Sequence, residues 1–582
     1  MLRISCAVAL ILAAVMPGKP SMQTATAPAP TPRTQGASPA GAPRPGLPPR
    51  DTSDTKPASG TIRGRVFAAD TNAPLRRAQV LLAAGQLGVR RFATTDADGR
   101  YEFVEVAEGR YTITASKGSY VALQYGQRRA FEPGRPVALA EGQDLSQVDF
   151  ALPRGSVITG RITDEFGEPL AGAFVQVQRY QYGPSGQRQL TFGGGSGLVV
   201  TNDLGEFRAY GLMPGEYVVS GMLRQPMSPQ GGNPNDANEG FAPTFYPGTA
   251  NAAEAELVRV ELAQETSIHL TLLAGRMARV SGVVIDSVGK PLAGVRLMVR
   301  TAPGAGSMMT SNISTTGADG SFSLNNVPPG EYYLDVAGER RSDAPPEAAS
   351  VPLTVVNQDI TNLRVVTGPA ATVSGVVVFE GDSPRRGVLS GLSVVTRSAD
   401  VQNPGPMLLT FGDEGRVDED RRFQLRGIGN VFFRAINLGP WTLKRVTLDG
   451  EDITDTPYPL RTSENVQSLR VLLTDRVADV SGAVTDARGQ TVKEFVVVIQ
   501  PAREMEPAIL QRFLQTARPD QDGRFGARAL PPGEYIATAV EVLEQGREWD
   551  PDYRPRLRDA GRRFSIKEGE SVDLDLKLAS GV

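Results

Sequence analysis

One short pattern, repeated five times, decides how this chain can be built. An apolar residue, any residue, glycine, any residue, then valine or isoleucine occurs at Ile62–Val66, Ile158–Ile162, Val280–Val284, Val373–Val377 and Val480–Val484. The central glycines, Gly64, Gly160, Gly282, Gly375 and Gly482, stand 96, 122, 93 and 107 residues apart. That is domain spacing, too long for a solenoid. A chain of 582 residues divides naturally into units of this size.

Each pattern is followed by the same sentence. A turn such as Asp164–Gly172 or Asp286–Gly294 comes first, with Asp and Gly making the bend and Pro ending it. An alternating strand follows, as in Val295, Leu297 and Val299, whose period of two puts three apolar side chains on one face. Then comes an Asp-Gly turn feeding an aromatic, at Asp98–Tyr101, Asp319–Phe322 and Asp522–Phe525. Pro-Gly-Glu-Tyr follows at Pro214–Tyr217, Pro329–Tyr332 and Pro532–Tyr535. The two aromatics are ten residues apart in four copies: Tyr101 and Tyr111, Phe207 and Tyr217, Phe322 and Tyr332, Phe525 and Tyr535. A fixed gap predicts paired strands, and rings of that size predict core anchors. The fourth copy is worn, with Arg421 in place of the turn glycine and Gly429–Phe432 in place of Pro-Gly-Glu-Tyr.

Sixty-three glycines and 44 prolines suit a chain of short strands and turns. The expected fold is all-β: five tandem sandwich modules at 60–152, 153–275, 276–368, 369–476 (degenerate) and 477–582. Ahead of them, Arg3 and the apolar run Ile4–Met16 read as an export signal over 1–16, too short to span a membrane. Residues 17–59 hold 11 prolines among Ala, Thr and Ser and read as a disordered spacer.

Scarcity excludes much chemistry. A net charge of −3 gives no footprint for nucleic acid. One histidine, His269, cannot supply an ordinary zinc site or more than one triad, and Cys6 leaves with the leader. No catalytic residue, metal ligand or cofactor is assigned.

The glycine pattern, the Asp-x-x-Gly-x-Pro-Leu-x-Gly turn, Asp-Gly-x-Phe and Pro-Pro-Gly-x-Tyr together resemble the carboxypeptidase regulatory-like domain. The resemblance covers about 60–582. It implies a transthyretin-like Greek-key sandwich, related in build to adhesin B-type repeats and to starch-binding-like folds, and a mostly non-catalytic role. The zinc peptidase that accompanies this domain elsewhere needs two histidines, and this chain has one. Lys–Asn isopeptide bonds, frequent in the adhesin repeats, cannot be general here. The chain has eight lysines, and none falls in 153–275.

Aromatics outside the repeat pattern are the candidate ligand platform: Tyr180 and Tyr182 beside the Gly193–Gly197 tip, Phe245 and Tyr246 at the end of the insertion 221–248, and Trp549. Sugar rings stack on such faces, and loop packing or module contact is the alternative use. Asp96–Gly99 and Asp520–Gly523 read as hairpin turns, with Ca²⁺ loops as the alternative. His269 reads as a solvated strand residue. Glu504–Gln515 and Pro551–Arg563 read as short helices covering the last module, the second capped by Asp550.

These features imply an exported binding protein of the periplasm, cell surface or exterior, with a polysaccharide or an envelope protein as partner. A structural spacer or assembly scaffold is the alternative, and a carboxylate-pair hydrolase stands behind both.

Overall fold

Each copy is organised around its opening strand, because that strand is clasped from both sides. Gly60–Ala68 pairs antiparallel with Arg100–Val106 and parallel with Phe150–Leu152. Ser156–Thr163 lies between Glu206–Leu212 and Glu265–Thr271 in the same senses. Ala278–Ile285 lies between Ser321–Val327 and Ile360–Val366. Ala371–Glu380 lies between Arg422–Gly427 and Asn465–Thr474, and Asp479–Thr485 between Phe525–Arg528 and Ser571–Lys577. A second antiparallel sheet faces each of these. It is centred on the Tyr-bearing strand, for example Gly330–Ala337 between Arg296–Thr301 and Glu347–Val355.

The computed structural model describes residues 59–84, 89–223, 239–302, 313–338, 346–382, 391–400 and 415–581. The export segment 1–16, nearly all of the spacer 17–59, and 224–238 of the long insertion lie outside the described residues. The fold is all-β, and each sheet pair encloses its own apolar cluster. The five main clusters draw on residues 62–152, 158–272, 278–365, 371–473 and 478–576. Residues 57–582 form one compact unit.

The opening glycines have a steric cause. A Cβ at Gly64 would stand 1.9 Å from the Val148 carbonyl oxygen, and at Gly282 1.8 Å from that of Leu363. At Gly160, Gly375 and Gly482 the distances to Ile268, Leu469 and Leu574 oxygens are 2.5, 2.2 and 1.9 Å. The aromatic after the Asp-Gly turn presses on the same point: Phe207, Phe423 and Phe525 ring carbons would lie 2.6–2.8 Å from that Cβ. Only glycine lets the closing strand and the ring both reach the opening strand.

The second aromatic closes a corner. The hydroxyls of Tyr111, Tyr217, Tyr332 and Tyr535 donate to the carbonyls of Ala107, Met213, Pro328 and Pro531, four residues back, at 2.7–3.0 Å. Burial pushes the Tyr332 phenol up to about 12. The Tyr217 and Tyr535 phenols are pushed higher still by the same cause.

The worn fourth copy keeps the geometry without the residues. Arg421 adopts φ 65° where the other copies have glycine at 72–81°. Its carbonyl still accepts from Val377 N–H at 2.8 Å, as Gly99 accepts from Val66. The ten-residue aromatic gap also persists, as buried Phe423 and Phe433. The larger departure is elsewhere. Thr442–Leu448 joins the opening-strand sheet beside Asn465–Thr474, and buried Trp441 stands edge-on to Phe379 at 4.8 Å.

The last module carries shorter helices than the sequence suggests. Pro507–Leu510 and Arg554–Ala560 are helical, and Tyr553, not Asp550, occupies the N-cap of the second. The Asp550 carboxylate instead accepts from Asp552 N–H at 3.0 Å, holding the turn one step earlier. Leu557 and Tyr553 bury against Val496, Val498, Val540 and Leu543, so this helix covers the outer face of the second sheet.

Three outcomes follow from these constraints. Gly282→Ala costs about 1–3 kcal/mol or more, since the neighbouring group is backbone and cannot move aside. Arg421→Gly gains about 1 kcal/mol by relieving a left-handed non-glycine residue. Both are read by denaturant unfolding followed at the affected module. In the unfolded chain a tyrosine ionises near pH ~10. The stability tied to the neutral Tyr332 phenol is therefore complete below pH ~10 and is lost as pH rises towards 12. Tyr332→Phe flattens that alkaline limb; an unchanged limb contradicts the assignment.

Candidate functional site

The aromatic candidates are placed by two elements far apart in sequence. Phe174–Tyr182 and Arg188–Phe192 form a hairpin of the second copy, with Tyr182 opposite Arg188. Tyr180 is half-buried, donates to the Ala252 carbonyl at 2.9 Å, and carries the Arg188 guanidinium 4.5 Å over its ring. Phe245 is 2% exposed, in a satellite core with Leu190, Val218 and Met222. It has no free face, which corrects the expectation that it could stack on a ligand. Tyr246 is half-buried against the main core of the same copy.

The backbone segments that carry Tyr182 and Trp549 are brought together. Arg547–Trp549 forms one 3-10 turn, and Gly546 enters it at φ 92° against Gln181 and the Tyr182 carbonyl. The Trp549 carbonyl lies beside Gly186 at the tip of the hairpin. The Glu548 carboxyl in this turn is pushed above its usual range by burial. The two half-buried aromatics thus flank a contact between the second copy and the fifth.

That contact belongs to a wider junction that the sequence did not announce. A loop of the first copy, residues 125–136, packs on the fifth. Glu132 and Arg518, 7% and 5% exposed, pair directly through Oε1 and a guanidinium nitrogen. Arg135 reaches Glu494 at 3.1 Å and the carbonyls of Lys493 and Asp520 at 3.0 Å each. Arg129 meets Glu541 at 2.9 Å. Gln521 donates to the Ala138 carbonyl and accepts from its N–H, at 3.0 and 3.2 Å. Gln545 N–H donates to the Phe131 carbonyl at 2.9 Å.

The second copy completes it. Arg179, 7% exposed, pairs with Glu544 and lies 3.8 Å over the Phe131 ring, which meets Tyr217 edge-on at 6.4 Å. Burial lowers the Arg179 proton affinity, with Glu544 opposing. No repeat position encodes these residues. The sequence signal is a cluster of Arg128, Arg129, Glu132 and Arg135 in a loop outside the repeat pattern.

Two copies also fasten the segment by which the chain leaves them: Glu239–Phe241 pairs with Ala274–Arg276, and Glu347–Val355 with Gly368–Pro369. The fourth and fifth copies meet through side chains. Lys444 bridges Glu380 and Glu568 at 2.8 and 2.9 Å, and Asp455 joins Arg434 to Arg512 at 3.4 and 2.5 Å. Burial pulls the Arg434 guanidinium down to about 10.

Other candidates resolve locally. The Asp96 carboxylate accepts from Asp98 and Arg100 N–H at 2.9 and 2.8 Å, and Asp520 from Asp522 and Arg524 at 3.0 Å each, which is the hairpin-turn use. Among the described residues no three His, Cys, Asp or Glu side chains are grouped to hold a metal ion. His269 is exposed on its strand and meets Thr163 Oγ1 at 3.2 Å. It lines an open concavity of about 940 Å³ with Arg161, Arg208 and Glu206. No described helix is long and apolar enough to cross a membrane.

Residues 61–153 and 279–367 match the family model of the carboxypeptidase regulatory-like domain. Those two stretches, in the first and third copies, are carboxypeptidase regulatory-like domains. Both matched stretches begin just before an opening glycine and end just past the closing strand, and the first includes the Glu132 loop. Among solved structures, the chain is similar to the Bacillus anthracis TIE protein, at 12% identity over 53% of this chain and 51% of that one, with a TM-score of 0.15. It is similar to a streptococcal ancillary pilin, at 11% over 53% and 99%, TM-score 0.19. It is also similar to a minor pilin of Streptococcus agalactiae, at 12% over 37% and 95%, TM-score 0.20. The chain spans about half the length of the first of these. No curated protein matches it.

Removing one member of the buried pair between the first regulatory-like domain and the fifth copy strands the other. Arg518→Ala costs closure of the junction about 3–5 kcal/mol. Small-angle scattering of this variant shows a larger radius of gyration than wild type, with the β-sheet circular dichroism unchanged. An unchanged radius contradicts the role given to the pair.

Proposed function

We propose that the chain is a non-catalytic, exported protein of the cell envelope whose five modules, at 60–152, 153–275, 276–368, 369–476 and 477–582, act as a preassembled scaffold for other proteins. The observation that carries this reading is the junction of the last module with the first two. A spacer needs only end-to-end linkage. Fixing modules 386 residues apart through a buried ion pair serves presentation of surfaces at a set geometry. The scarcity of histidine and thiol supports the non-catalytic part, and the apolar run at 4–16 supports export.

Carbohydrate binding is the second reading, favoured by half-buried Tyr182 and Trp549 on two segments that meet at a module boundary. Support for it is reduced by Tyr180, whose hydroxyl and ring face are already engaged, and by Phe245, which is enclosed.

Co-sedimentation of the purified chain with insoluble polysaccharides and peptidoglycan separates the two. The scaffold reading expects no binding that depends on Tyr182 and Trp549. It also expects crosslinked envelope proteins to be retained several-fold better by wild type than by Arg518→Ala. Clear sedimentation abolished by Tyr182→Ala with Trp549→Ala would replace it with the carbohydrate reading.

A further inference from the structure

The junction is heterologous: the surface on the first two modules differs from the surface it meets on the fifth. The first-module loop presents Arg128, Arg129 and Arg135 around a single Glu132. The fifth module presents Glu494, Glu541 and Glu544 around a single Arg518. Each side is therefore an excess of one sign with one residue of the other at its centre. The central residues pair with each other, and the rim pairs with the rim. A surface of this kind repels its own likeness and attracts its complement.

Both halves belong to one chain, with modules three and four between them. A second copy offers the same two halves in the same geometry. Nothing in the contact distinguishes a fifth module of the same chain from that of a neighbour. The contact consists largely of ion pairs and of hydrogen bonds to loop carbonyls, the make-up of interfaces between domains that open and close. Exchange of an element between copies preserves every contact and changes only connectivity.

We infer that the fifth module, besides docking within its own chain, docks in trans on modules one and two of a second copy, so that the molecule links to itself head to tail. The partner surface is the loop 125–136 with Arg179, and the partner is the chain itself. Two copies that exchange fifth modules close a dimer. Copies that exchange in succession extend an open series, because a heterologous contact does not close of itself. This deepens the scaffold reading and rests on it for its use, while the contact itself rests on the junction geometry alone.

Charge reversal tests it on the full chain. Glu132→Arg places like charges across the junction within one molecule, and so does Arg518→Glu. Neither variant closes on itself. Mixed together, each supplies the complement of the other, once as the native pair and once reversed. Light scattering coupled to size exclusion should show a 1:1 species of twice the monomer mass in the mixture and in neither variant alone. The double variant E132R/R518E restores opposite charges within the chain and should return to wild-type dimensions.

A mixture that remains monomeric, while both variants keep their β-sheet spectrum and the double variant is compact, overturns the inference. Should the double variant stay expanded, wild type supplies the readout. It is held at high concentration in urea below its unfolding midpoint and then diluted out. A dimer fraction rising with concentration is expected, and monomer throughout overturns the inference. Failure here leaves the scaffold reading standing, since capture of envelope proteins does not require exchange.

Discussion

In every module the opening glycine lies hard against a backbone carbonyl at or just before the closing strand. Ordinary strands pair through hydrogen bonds and leave room for side chains. Here a backbone oxygen and an aromatic ring converge on one Cα, and a methyl group would overlap both. The parallel pairing of first and last strands depends on that absence. It draws the two ends of every module together and leaves the intervening turns to project from the sandwich. Modules closed in this way can follow one another with short connections, as Pro369 and Ala370 do between the third and the fourth.

Closure of the individual module and fastening of the modules to each other use different chemistry. Within a module, apolar rings and aliphatic side chains exclude water, and the one polar group on the second aromatic, the tyrosine hydroxyl, turns back to its own chain. Between modules, pairs of basic and acidic side chains dominate: Arg135 with Glu494, Lys444 with Glu568, Arg512 with Asp455. The first kind of contact is repeated because the fold requires it five times. The second is not, because each boundary joins a different pair of surfaces. The loop 125–136 and residues 541–550 lie outside the repeat for that reason, and so do the candidate aromatics.

What was legible in the sequence follows the same division. The glycine pattern, the Asp-Gly turns and the ten-residue aromatic gap are local or recur at fixed intervals. They fixed the strand pairs and the core anchors. The fourth copy was harder to read. Arg421 holds the left-handed conformation at a cost, so identity changed where geometry did not, and Phe433 preserves the aromatic gap without a hydroxyl. The helix expected over 551–563 began later because Pro555, not Pro551, fills its first turn and the Asp550 carboxylate serves the turn before it. The site was legible only in part. Tyr182 and Trp549 stood out as residues without a repeat position, but the meeting of their backbone segments comes from a contact spanning more than 350 residues. Arg518 carried no signal, since an arginine near a turn is ordinary until a glutamate from another module lies against it. Phe245 differs for the reverse reason: an aromatic that ends an insertion looks exposed, but Leu190, Val218, Met222 and Ala252 enclose it.

The fifth module is held on the first two within one chain. The amide of Gln545 reports on this directly, because its hydrogen-bond acceptor is the Phe131 carbonyl across the junction, at 2.9 Å. Native-state hydrogen exchange at this one loop amide is the measurement. A closed junction predicts protection comparable with that of strand amides in the fifth module, lost in Arg518→Ala. Exchange at the rate of an open loop in the wild-type chain would contradict the account.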